Sequence, residues 1–182
     1  MIKARQIGKW ALCMALVGLL QACAVSDRRS MGNQIDDNTL DVRVENALEK
    51  NKTLQDSANI NVFVYNGVVL LTGQAPSQDM IETASQLAQT VEGIKELQNQ
   101  VRLGNPVSFT TRTRDSYITS NIKTQLLADK EVSSQNIRVV TENGEVFMLG
   151  IVNETEGTRA IEIARHVNGV AQVIKLFEVK YD

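Results

Sequence analysis

The sequence predicts an α+β chain of two tandem αββαβ modules, each a small three-stranded sheet with two helices packed on one face. Three observations carry this. The chain repeats itself: Ile60, Val62, Asn66, Gly67 and Gly73 recur 77 residues later as Ile137, Val139, Asn143, Gly144 and Gly150. Each copy holds an Asn-Gly dipeptide between two β-rich runs. Each also carries two apolar stripes at helical spacing on either side of that hairpin, and internal repetition of this kind decides fold before any local propensity does.

The elements follow in order. Leu40, Val44 and Leu48 lie four apart and form one helical stripe, matched at an offset of 78 by Ile118, Ile122 and Leu126. The runs 60–65 and 68–72 then flank Asn66-Gly67, the pair that best tolerates the two positive φ angles of a type I′ hairpin. After Pro76 and Ser77, Met80, Ile81, Ala84, Leu87, Ala88 and Val91 recur at helical spacing up to Gly93, a left-handed stop. Ala160, Ala164, Val167 and Gly169 repeat that helix at an offset of 76. A last strand is expected over about 95–103, with its counterpart over about 171–179. The changes of offset fall where loops are expected.

The N-terminal residues are of another kind. Lys3, Arg5 and Lys9 surround the start of an apolar segment, residues 10–20, that is too short to span a bilayer and ends in Leu20-Gln21-Ala22-Cys23. This resembles the bacterial lipobox. The resemblance implies cleavage before Cys23, acylation of that cysteine on sulfur and amine, and, because Ala24 rather than an aspartate follows, sorting to the periplasmic face of the outer membrane. Several acyl chains, at about 0.8 kcal/mol per buried CH₂, anchor a protein almost permanently. The expected organisation is a signal peptide over 1–22, a lipidated flexible tether over 23–38, modules over 39–103 and 114–182, and a polar linker over 104–113.

Charge and composition exclude several functions. Cleavage removes three of the 19 basic residues and none of the 21 acids, leaving a net charge of −5 and no global nucleic-acid footprint. Cys13 leaves with the signal and lipid consumes Cys23, so no disulfide and no cysteine metal site is expected. His166 is the only histidine. It falls near the end of a helix, where a cation also favours the dipole, and is assigned a structural or solvated role. No Ser/His/Asp set or phosphate loop is present, so neither enzyme activity, metal nor cofactor is expected. The acids Asp36-Asp37 and Glu154-Thr155-Glu156 are expected on solvated loops, with weak cation binding as the alternative. Glu142 and Glu145 flank a turn.

The duplicated helix, Asn-Gly hairpin, alanine-rich helix and Gly-Ile or Gly-Val before the last strand (Gly93-Ile94, Gly169-Val170) resemble the BON domain. Two such modules behind a lipobox resemble the dual BON-domain outer-membrane lipoproteins. That resemblance implies phospholipid binding and support of outer-membrane integrity, including at division sites.

Differences between the copies locate candidate sites. Outside the Ile118/Ile122/Leu126 stripe lie Tyr117, Lys123 and Leu127, preceded by Arg112 and Arg114. The equivalent surface of module one presents Val42, Glu45 and Glu49. A basic amphipathic face suits anionic phospholipid, phosphatidylglycerol or cardiolipin. The alternative packs Tyr117 and Leu127 against module one or nearby loops. Module one's sheet is apolar on both faces, and its helices cover only one. The face holding Phe63 and Tyr65 is therefore expected to meet module two or an envelope protein partner. In module two that face carries Arg138, Glu142 and Glu145 beside Val140, Phe147 and Leu149, and is expected to be more readily solvated.

Overall fold

The computed structural model describes residues 28–180; Cys23 and the signal lie outside the described residues. Helix α1 (Met31–Glu49) starts at Ser30, whose hydroxyl accepts the Asn33 amide, and turns Leu40, Val44 and Leu48 inward. A short helix α2 (Lys52–Ser57), capped by Asn51, leads into strand β1 (Asn59–Tyr65). Strand β2 (Val68–Ala75) pairs antiparallel with β1, Phe63 opposite Leu70 and Tyr65 opposite Val68. Asn66 and Gly67 both take positive φ in the turn between them. Helix α3 (Gln78–Gln89) follows the Ser77 cap and buries Ala84 and Ala88. The last strand of module one is split into β3 (Glu96–Asn99) and β4 (Arg102–Leu103), both parallel to β2.

Module two repeats this with α4 (Phe109–Ala128), β5 (Ile137–Glu142), β6 (Glu145–Val152), α5 (Glu154–Arg165) and β7 (Gln172–Val179). A 3₁₀ turn (Ser134–Asn136) precedes β5. The strand orders are β1-β2-β3 and β5-β6-β7, with the hairpin's second strand central in each. Helices α1 and α4 begin inside the spans read as tether and linker, because Ser30 and Ser108 cap them there.

A glycine explains why one final strand breaks and the other does not. A Cβ on Gly73 would lie 1.9 Å from the Asn59 carbonyl oxygen, and one on Gly150 would lie 2.5 Å from that of Asn136, so both copies need glycine. Gly73 alone of the two takes a left-handed φ, 113°. The ladder to the neighbouring strand lapses there and resumes at Gln74 opposite Arg102, whereas β7 runs unbroken past Gly150.

The chain packs in four layers, helices outside and the two sheets back to back. Leu40, Val44, Val69 and Ala84 fill the core between α1/α3 and the first sheet, and Ile118, Ile122, Val146 and Ala160 that between α4/α5 and the second. Between the sheets lies a third core of Tyr65, Leu70, Val140, Phe147, Leu149 and Ile151, with Phe63 packed against it. The expectation of a solvated second face on module two is corrected: Phe147 and Leu149 are fully buried there. The polar residues that suggested solvent lie at the rim and pair across it. Arg102 grips Glu145 with two hydrogen bonds of 2.9 Å, Gln74 donates to Glu142 at 2.6 Å, and Tyr65 donates its hydroxyl proton to the Asn136 carbonyl at 2.7 Å. Arg138 donates to the Val64 carbonyl, and its guanidinium lies 5.1 Å from the centre of the Phe63 ring.

Asp37, expected in solvent, is buried instead, and so is its counterpart in module two, Asp115. Asp37 accepts the amides of Asn66 and Gly67 at 2.7 and 2.8 Å, one on each carboxylate oxygen. Asp115, 78 residues on, accepts those of Asn143 and Gly144 at 2.7 and 2.9 Å. Each first helix is thereby fastened to its own hairpin turn, and the turn's amides are satisfied by a buried carboxylate. Asp115→Ala should cost about 3 kcal/mol through two lost charge-assisted bonds, and lower the melting temperature by roughly 6–12 °C in thermal circular dichroism. An unchanged melting temperature would show that the turn holds its shape without the clamp.

Candidate functional site

With both sheets covered, the outer helices supply most of the free surface. Helix α4 turns Ile118, Ile122 and Leu126 into the core and Asp115 onto the turn, which fixes what remains outside. Phe109, Tyr117 and Leu127 stand 84%, 65% and 76% exposed. Phe109 and Leu127 are five helical turns apart, about 27 Å at 1.5 Å per residue, and lie on one ridge with Ser116 and Ser120 between them. Arg112 and Lys123 flank this ridge on one side, Tyr117 on the other.

Arg112, Arg114 and Lys123 are all exposed. Arg114 sits apart from the ridge, its guanidinium 3.6 Å from where a Cβ on Gly144 would be, so it leans over the hairpin turn. Arg112 also donates to the Val107 carbonyl at 3.4 Å. The structure therefore brings Arg112, Tyr117, Lys123 and Leu127 onto one surface and places Arg114 at its edge. Phe109 belongs to that surface and was not expected in it, since residues 104–113 read as linker; Ser108 before an aromatic residue was the signal available.

The charge of the two first helices is opposite. Helix α4 has three cations and one acid, and that acid, Asp115, is buried; α1 has five acids and one cation. Phe63 and Tyr65 meet module two: Tyr65 is 3% exposed, with the Arg29 guanidinium 4.1 Å from its ring centre. His166 caps the end of α5, exposed, with Nδ1 2.7 Å from the Glu162 carbonyl oxygen.

The segment leading from the tether fastens the modules together. Arg28 donates its backbone amide to Asn136 at 2.9 Å and its guanidinium to the Ile151 carbonyl and to Glu156 of module two. Arg29 pairs with Asp37 of module one at 3.3 Å. Glu156 is a further correction. It is buried, forms a capping box with Asn153 and accepts the Ser133 amide. Burial pushes its carboxyl up, but the hydrogen bonds from Arg28, Ser133 and Asn153 outweigh this and hold it below the usual range. Asp41, on α1, moves the other way: burial first, then the nearby Glu45 and Asp37, raise its carboxyl against the pull of Arg138.

No described helix is long and apolar enough to cross a membrane. Two αββαβ modules packed back to back behind a lipobox define a small envelope-associated protein of the tandem-module kind. The chain belongs to the BON-domain family, matched over residues 36–105 and again over 114–181. It is 40% identical over 169 residues to the Outer membrane lipoprotein DolP of Haemophilus influenzae, covering 91% of this chain and 88% of that one. It is 45% identical to a 21 kDa hemolysin of Actinobacillus pleuropneumoniae, over 82% of this chain and 77% of that one. It is 34% identical to Osmotically-inducible protein Y of Escherichia coli, over 81% and 75%. Its place, like that of the first relative, is the outer membrane, where it is held as a lipoprotein.

The Glu156 linkage has a definite sign. Its folded carboxyl lies below the ordinary 4.5, so the stability it adds is fully present above pH 4.5 and is lost as pH falls through the lower folded value. Glu156→Gln should melt below the wild type at pH 7, and the two curves should converge under acid conditions. A gap that stays constant from pH 7 to pH 3 would exclude the ionised carboxylate as its source.

Proposed function

We propose that this protein is a non-enzymatic envelope component. Cys23 tethers it to the inner leaflet of the outer membrane, and the outer face of α4 binds anionic phospholipid. The observation that carries this reading is the ridge from Phe109 to Leu127: exposed aromatic and aliphatic side chains, flanked by Arg112 and Lys123, with no exposed acid on the helix. Aromatic residues seat at the level of lipid head groups, and each nearby cation contributes about 1 kcal/mol at an anionic surface. The lipid anchor raises the effective concentration of that contact, so a weak headgroup interaction suffices to orient the body. By its family it would support outer-membrane integrity and gather where the membrane is remodelled, division sites included.

The adaptor reading, in which Phe63 and Tyr65 recruit an envelope partner, is less favoured at Tyr65, which is buried inside the chain, while Phe63 stays half-buried at the rim. Sedimentation of the chain from Ala24 with phosphatidylglycerol or cardiolipin vesicles, against phosphatidylcholine ones, tests the proposal. Binding should be confined to the anionic vesicles, fall with salt, and weaken about tenfold or more in Lys123→Glu combined with Tyr117→Ala. Binding that ignores both headgroup charge and these substitutions would overturn it.

A further inference from the structure

Strand β1 is an edge strand: among the described residues it pairs with β2 and with no other strand. Tyr65 and Val68 close a two-residue turn, so Tyr65, Phe63 and Asn61 direct their backbone groups at β2, and Val64, Val62 and Ile60 direct theirs outward. The Arg138 bond to the Val64 carbonyl, 3.0 Å, confirms that parity and covers the end of the edge nearest the turn. Beyond it, the outward amides and carbonyls of Ile60 and Val62 take no hydrogen bond among the described residues, while the Val62 side chain packs into the core. Edge strands are ordinarily guarded by charge, proline or a bulge, and residues 59–65 contain neither a charged residue nor a proline.

A hollow lies on each side of this stretch. On the side of Ile60 and Val62, a concavity of about 280 Å³ has a floor that includes Leu48 and Leu54, with Glu45 and Glu49 of α1 on its wall. On the side of Asn61 and Phe63, a second of about 400 Å³ opens toward Ser116 and Ser120 of α4. Because side chains alternate along a strand, a segment added to β1 would place one set in each hollow. The acidic wall is costly to the folded chain by itself. Asp41, Glu45 and Glu49 are spaced four apart on α1, where like charges repel, and no ion pair among the described residues engages any of the three. One Asp41 oxygen is buried with no hydrogen-bond partner.

We propose that the free edge of β1 is a docking site for an extended basic segment of another envelope protein. That segment adds as a strand beside Ile60 and Val62 and directs alternate lysines or arginines toward Glu45 and Glu49. Backbone pairing would supply affinity and the two hollows selectivity, as in other strand-addition complexes. A second copy of this chain is a poor occupant, since its own β1 brings no cation to the acidic wall. The edge and its acidic hollow lie on module one, while the second hollow shares Arg112, Ser116 and Ser120 with the α4 face proposed to bind lipid.

The test uses the chain from Ala24, which contains both modules and their shared core, with a fluorescent Lys-Val-Lys-Val-Lys-Val-Lys peptide as probe. Anisotropy should report binding, while Glu-Val-Glu-Val-Glu-Val-Glu binds at least about tenfold more weakly. The order of the two peptides should reverse in Glu45→Lys with Glu49→Lys. A peptide N-methylated on alternate residues should lose binding to the wild-type protein when the blocked amides are those facing β1, which needs no variant to fold. The Ile60 and Val62 amides should exchange with solvent freely alone and slowly in the complex. Absence of binding, indifference to N-methylation, or protection at these amides already present through self-association would each overturn the proposal.

Discussion

The apolar layer between the two sheets is the constraint on which the rest of the molecule depends. A three-stranded sheet with helices on one side leaves its other side bare, and in this chain both bare sides are apolar. Leu70, Tyr65, Phe147 and Leu149 cannot meet water at acceptable cost; at about 25 cal/mol per Å² of apolar surface, each side chain of this size is worth some 1.5–3 kcal/mol when buried. The modules therefore cover one another. Everything functional must then sit on what this packing leaves exposed: the outer helix faces, the sheet edges and the segment that leads to the anchor.

Duplication followed by back-to-back packing also explains the polarity of the parts. The hairpin turn of module one meets the opposite end of module two, where Tyr65 reaches Asn136 and Asn66 donates to Glu178 at 2.7 Å. Helices α1 and α4 consequently lie on opposite outer layers, and each is free to specialise. Arg28 and Arg29 reach one module each, so the first described residues of the chain also hold the seam closed. Residues 31–38, which read as tether, belong to helix α1 instead.

Most of the fold was legible because repetition doubled every signal. One Asn-Gly hairpin is commonplace, whereas two in register with paired helices define elements, turn type and strand faces together. The division of side chains between the faces of β1 and β2 follows from a two-residue turn alone, and the observed register agrees. What escaped were residues whose role depends on a distant partner. Asp37 and Glu156 looked like surface acids because nothing local shows that a turn amide or an arginine from another element waits for them. Arg138, Glu142 and Glu145 suggested solvent because a rim residue and a surface residue have the same composition. The start of α4 is obscured for a different reason: Pro106 and Gly104 mark a loop, and a serine among loop residues does not announce itself as the cap that Ser108 is, so Phe109 reads as linker.

The shared core is tested most directly by differential scanning calorimetry of the chain from Ala24. One cooperative transition, with equal calorimetric and van't Hoff enthalpies, is expected for two modules that complete each other's packing. Leu70→Asp, placed only in module one, should then lower the transition of the whole body. Two separate transitions in the wild type, with module two's unmoved by Leu70→Asp, would contradict the account and return the sheet faces to solvent or to another protein.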